Sequence, residues 1–178
     1  KIVLEQTLKN VDKDIENACT LISQKIKNGN TIFWLGNGGS CADAQHLAAE
    51  FVGKFKNERI PLNSISLTSD TAVITCIAND YSFDEIFSRQ IEALAKKDDL
   101  VIAISTSGNS KNVIRALEKC IELKINSICL LGNNGGLARK LGKYNIIVPS
   151  TSTARIQEIQ ILIGHILIQM VEETLSLN

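Results

Sequence analysis

Five short apolar runs, separated by stretches of helical periodicity, constrain the fold of this chain more than any other feature. The runs at residues 31–35, 63–67, 100–104, 126–131 and 145–148 read as strands. Helical patterns lie between them, around 42–54, 71–78, 84–95, 112–123 and 137–141. The run "LVIAI" at 100–104 contains no polar residue, whereas a strand with one wet face would alternate polar and apolar side chains. Both faces of such a strand must be covered, and strands joined through helices run parallel with right-handed crossovers. The expected architecture is α/β: a doubly wound, five-stranded parallel sheet flanked by helices, with ligands bound at the carboxyl ends of the strands.

Long helices are expected at both ends. Apolar residues recur at Leu4, Leu8, Val11, Ile15, Ala18, Ile22 and Ile26, one stripe of a helix, which Asn28-Gly29-Asn30 ends. The run from residue 159 to 171 is shorter than the roughly 20 residues that span a bilayer and carries Gln160, His165 and Gln169. It reads as a buried helix. No repeat, linker or low-complexity tract divides the chain, so residues 1–178 are expected to form one domain. The stripe in residues 1–27 and the last helix together offer more apolar surface than one sheet face covers, which implies a helical layer shared between subunits, with a tetramer expected.

Hydrophobic residues make up 44% of the chain, enough for a real core, and 19 Lys and Arg balance 19 Asp and Glu. A formal net charge of +0 excludes mechanisms that rest on bulk attraction to nucleic acid or an anionic membrane. The five cysteines are odd in number and lack CxxC spacing, the pattern of reduced, buried thiols in a cytosolic protein. The first residues are charged and helical, unlike a signal peptide, and a cytoplasmic location is expected.

Two loops fall at the expected carboxyl edge. The first, Gly36-Asn37-Gly38-Gly39-Ser40, links a strand to a helix; glycines let a ligand approach the backbone, and free N–H groups at a helix start favour polar oxygens. It matches a dinucleotide fingerprint only at Gly36-x-Gly38, with Cys41 in place of the third glycine. The second, "STSGNS" at residues 105–110, gathers four hydroxyls, a glycine and a helix N-terminus within six residues. That concentration suits the oxygens of a phosphate monoester, and the lack of a following Walker-type lysine argues against ATP. A thiol at a helix N-terminus can become a nucleophile, but Cys41 is better read as a small residue fitting between helix and sheet.

Only two histidines occur. His46 and Glu50 are i, i+4, about 40° apart around a helix axis, so both can address one point. Gln157 and His165 are eight residues apart on the last helix, about 80° apart in direction and about 12 Å along the axis, so one ion touches both only if it sits between them. Borderline N/O ligands of this kind suit zinc or a similar divalent ion. Equally, a histidine on an apolar helix is often a hydrogen-bonded core residue, and Glu50 can simply face water.

Taken together, "GNGGS…DAQH-x-x-x-E", "AND", "ISTSGNS" and "RIQE-x-x-x-x-x-x-H" resemble the phosphoheptose isomerases (sedoheptulose 7-phosphate isomerases) of the sugar isomerase (SIS) domain superfamily, in order from about Phe33 to Val171. The resemblance implies that Asn37, Gly38, Gly39, Asn79 and Asp80 contact an open-chain sugar, together with Glu50 and Gln157, and that Ser105, Thr106, Ser107 and Ser110 hold its phosphate. It implies metal ligands, usually for zinc, at His46, Glu50, Gln157 and His165, with Glu50 and His165 also the acid/base pair. It further implies a homotetramer with sites near subunit contacts. Some members carry an acidic residue before the Arg-Ile-Gln of the last helix, where this chain has Ala154.

The implied reaction is conversion of sedoheptulose 7-phosphate to D-glycero-D-manno-heptose 7-phosphate through an enediolate, for bacterial heptose of lipopolysaccharide or capsule. Such chemistry needs a base moving a proton between C1 and C2, expected of Glu50, and an acid/base for O1 and O2, expected of His165. A divalent ion would polarise the carbonyl, yet metal-bound Glu50 and His165 are poorer proton carriers; either ligation loosens in turnover or a neighbour takes one role. The alternative is a non-catalytic protein of the same superfamily that partners a replication initiator, which has no need of both Glu50 and His165.

Overall fold

The computed structural model describes residues 2–56 and 58–176. Five parallel strands form one sheet in the order β2-β1-β3-β4-β5: β1 Ile32–Gly36, β2 Ser64–Ser66, β3 Leu100–Ser105, β4 Asn126–Gly132 and β5 Tyr144–Val148. The helices are α1 Ile2–Lys27, α2 Gly39–Val52, α3 Thr71–Asp80, α4 Ser88–Leu94, α5 Lys111–Glu122 and α6 Thr153–Thr174. The doubly wound sheet is as the apolar runs imply. β1, β3 and β4 are buried along almost their whole lengths. The edge strand β2 departs from that pattern, with Ile65 at 41% exposure.

Alternate side chains of the central strands supply two cores because successive residues of a strand point to opposite faces. Ile32, Trp34, Leu100, Ile102 and Ile104 pack with α1, α2 and α6; Phe33, Leu35, Val101 and Ala103 pack with α3, α4 and α5. Asp99 ties the entry of β3 to that of β1, one carboxylate oxygen accepting from Thr31 N and the other from Lys96 N.

Four expectations change. The helix read at 84–95 is a 3-10 turn, Phe83–Glu85, followed by the short α4, and the stretch at 137–141 forms only the 3-10 turn Ala138–Lys140. In each case a few apolar residues reach the core, Ile86, Phe87 and Ile91 in the first and Ala138 in the second, and a turn suffices to seat them. The α1 stripe is largely covered by its own chain: Val11, Ile15, Ala18 and Ile22 are buried against the sheet and α6, which leaves Ile2 and Leu8 exposed. The thiols divide: Cys19, Cys120 and Cys129 are buried, Cys41 is partly covered and Cys76 is exposed.

Candidate active site

Strand register places the two loops side by side. Gly36, the last residue of β1, pairs with Ile104 of β3, one residue before Ser105. The chain leaves β1 toward β2 on one side and later enters β3 on the other, so the loops flank the point where strand order reverses, where open α/β sheets bind ligands.

A reciprocal amide pair couples them. Asn37 Nδ2 donates to Asn112 Oδ1 at 2.8 Å, and Asn112 Nδ2 donates back to Asn37 Oδ1 at 2.9 Å. Asn112, in the first turn of α5, is 2% exposed. Sequence reasoning passed it over, since asparagine near a helix start ordinarily signals capping. Within the second loop Ser105 is buried and its Oγ accepts from Gly108 N at 3.1 Å, which shapes the turn. Ser107 Oγ accepts from Asn109 N at 3.1 Å. Thr106 and Ser110 are partly exposed and Ser107 is open to solvent, so three hydroxyls face the ligand end while Ser105 braces the loop.

α2 begins at Gly39 and carries His46 and Glu50. The amide of Gln157 on α6 fills the space beside Gly39, where a Cβ would meet its Nε2. Gln157 therefore lies against the first glycine loop. Two turns on, Gly164 serves the same end, because its absent Cβ would lie 2.6 Å from Leu47 Cδ1 and Cδ2. That close approach of α2 to α6 brings together the residues next to the contact, His46 and His165.

Their Nε2 atoms are 3.0 Å apart, one imidazole donating to the other. Glu50 Oε1 lies 3.6 Å from His46 Nε2, and the Phe55 ring stacks on His165 with centroids 5.3 Å apart. Asp43, one turn before His46 on α2, is a further acidic group that the sequence reading missed. Its half-buried carboxyl is pushed up by burial, against the pull of His46 and His165, and its Oδ2 is enclosed without a hydrogen-bond partner among the described residues.

Of the expected metal ligands, His46, Glu50 and His165 thus meet, while Gln157 stands at Gly39. Among the described residues no three His, Cys, Asp or Glu side chains form a ready metal cage. Two facing imidazole nitrogens and the Glu50 carboxylate beside them are nonetheless donor types that suit a borderline divalent cation. Asn79 and Asp80 are exposed in the last turn of α3, where Asn79 Nδ2 donates to Asp80 Oδ1 at 2.8 Å and Cys76 Sγ donates to Asp80 Oδ2 at 3.5 Å; their hydrogen bonds do not run to either loop.

Fold and site define an α/β protein with a ligand end at the topological switch point and an imidazole–carboxylate cluster on α2 and α6. The model of the SIS domain matches residues 1–132. The chain is 50% identical over 161 residues to a phosphoheptose isomerase of Aquifex aeolicus, covering 90% of this chain and 84% of that one. It is 51% identical over 176 residues to phosphoheptose isomerase 2 of Campylobacter jejuni, covering 98% and 88%. The solved phosphoheptose isomerase of Neisseria gonorrhoeae superposes with TM-score 0.91 at 38% identity, covering 96% of this chain and 91% of that one; that of Francisella tularensis does so with TM-score 0.93 at 34% identity and the same coverage. The chain belongs to the SIS domain family and, within it, to the phosphoheptose isomerases, and it is an enzyme of the isomerase class. No helix among the described residues is long and apolar enough to cross a membrane.

Proposed function

We infer that this isomerase interconverts sedoheptulose 7-phosphate and D-glycero-D-manno-heptose 7-phosphate through an enediolate, in the cytoplasm. The observation that carries this reading is the convergence of Glu50, His46 and His165 on α2 and α6, on the helix that starts in the glycine loop beside the hydroxyl loop. The relatives' name supports the substrate class.

Ser107, Thr106 and Ser110 bind the phosphate, with N–H groups at the start of α5 adding donors. Asn37, held by Asn112, orients the sugar hydroxyls together with Gly38 and Gly39. Glu50 takes the proton from one of C1 and C2 and returns it to the other, while His165 moves protons on O1 and O2. His46, Glu50 and His165 would hold a zinc ion; the family resemblance adds Gln157, whose amide lies instead against Gly39. When bound, that ion supplies a positive charge that favours the enediolate oxygens.

Ile2, Leu8 and Leu162 remain exposed on α1 and α6, which supports a homotetramer built on those helices; light scattering at micromolar concentration tests it, and a monomer would overturn it. A non-catalytic partner of a replication initiator is disfavoured, since binding alone does not call for a carboxylate and two imidazoles at one point. The deciding experiment is NMR observation of sedoheptulose 7-phosphate with the purified protein, with and without added zinc. Conversion supports the assignment, and no change in either condition rejects it.

A further inference from the structure

Arg59 and Glu172 form an ion pair whose side chains are only 1% and 4% exposed, with Arg59 Nε donating to Glu172 Oε1 at 2.6 Å. Charges withdrawn so far from water are expensive unless every donor is used. The rest of the guanidinium faces the end of α2 and the loop that follows it. Nη2 donates to the Glu50 carbonyl at 2.7 Å, and Nη1 to the carbonyls of Phe51 at 2.9 Å, Gly53 at 3.3 Å and Ile60 at 3.0 Å. A helix leaves its last carbonyls unpaired, and a left-handed residue after the end commonly satisfies them. Here neither the C-cap Gly53, with φ −78°, nor Lys54 after it is left-handed, so that closure is absent, and Arg59 supplies donors alongside Leu62 N, which donates to the Phe51 carbonyl at 3.0 Å.

The other half of the pair reaches His165. Glu172 is seven residues beyond it on α6, two turns along and within about 20° of the same direction. Its Oε1 also accepts from Phe55 N at 3.4 Å, and the Phe55 ring is the one stacked on His165. One buried pair therefore grips the peptide of Glu50 on one side and, through Phe55, the face of His165 on the other.

We propose that Arg59 and Glu172 are positioning residues that fix the end of α2 at Glu50 relative to the Phe55-stacked imidazole of His165. The kinetic part of this proposal rests on the isomerase mechanism above. Both side chains are buried and act through other residues. Lysine in place of Arg59 keeps the charge but cannot fan donors over four carbonyls, and Glu172→Gln keeps the shape while removing the charge.

The test is to prepare Arg59→Lys and Glu172→Gln in the full chain, and to measure thermal melts, steady-state kinetics and the imidazole NMR signals of histidine-labelled protein, which contains only two such rings. Expected in folded Arg59→Lys is a kcat loss of about 100-fold, the scale of a misplacement near 1 Å. KM should stay within about twofold, because the hydroxyl loop on β3 and α5 is not touched by the pair. Both histidine signals should move, and Glu172→Gln should show the same pattern more weakly. Unchanged histidine signals and kcat in either folded variant would overturn the proposal, as would a kcat loss that merely tracks the unfolded fraction. Should Arg59→Lys fail to fold, Glu172→Gln decides by the same readouts. If the parent protein converts no heptose phosphate, the mechanism is at fault, and the histidine signals still decide the positioning.

Discussion

The Nε2 atoms of His46 and His165 lie 3.0 Å apart although 119 residues separate them in the chain. Helix packing brings them together. Each sits beside the contact between Leu47 and Gly164, so the packing of α2 on α6 and the assembly of the site are the same event.

That contact makes Gly164→Ala informative. The new methyl would lie 2.6 Å from both Leu47 methyls, and overpacking a closed site costs about 1–3 kcal/mol, a Tm loss of roughly 2–4 °C per kcal/mol at this chain size. Activity should fall further than stability, because the two helices must separate. Adding Leu47→Ala should recover part of the Gly164→Ala loss, and a double mutant that simply sums the two losses would show that they do not share this space.

Glu50→Gln should abolish solvent-deuterium incorporation at C1 or C2 of the sugar, by at least about 100-fold, since an amide cannot accept the carbon-bound proton. Glutamine keeps the shape of Glu50, whose side chain is 24% exposed, so the fold should survive in the melt. His165→Asn should do comparable damage, whereas His46→Ala should recover partly at high zinc concentration. Proton exchange at the parent rate in well-folded Glu50→Gln would remove Glu50 as the base.

Ser107→Ala and Ser110→Ala should raise KM, about tenfold or more each if each hydroxyl donates to a charged phosphate, with kcat changed little because such contacts bind substrate and transition state alike. Ser105→Ala should instead lower stability, since its Oγ holds Gly108 N inside the loop. Titration with inorganic phosphate, followed by the loop amide signals, checks the assignment independently of turnover.

The buried thiols predict an alkaline limb of stability. Burial pushes Cys120 and Cys129 up to about 12, from 9.0. The neutral thiol is the form the fold prefers, so their contribution is complete below pH 9, where the unfolded chain is also protonated. It is lost progressively as pH rises from about 9 toward 12, by about 1.4 kcal/mol per pH unit for each thiol. Denaturant unfolding at pH 8, 9.5 and 10.5 should show a falling midpoint, and Cys120→Ala should flatten the slope. In the native state at pH 8, alkylation followed by mass spectrometry should mark the exposed Cys76 and spare Cys120 and Cys129.

Much of this was legible in the sequence because it depends on short-range rules. Continuous apolar runs imply strands buried on both faces, and β1, β3 and β4 are so buried; a loop dense in glycine or hydroxyls announces a ligand end wherever the sheet places it. The i, i+4 spacing put His46 and Glu50 on one face of one helix, and the combined motifs pointed to the family. The tertiary structure decided what depends on distance between elements. Spacing along α6 favoured His165 over Gln157 as the partner of His46 and Glu50 but gave no contact; the contact depends on Gly164 admitting Leu47, while Gln157 lies at Gly39. Asn112, Arg59 and Glu172 carry no motif; their roles arise only when burial removes water and leaves each polar atom to find its partner in another part of the chain.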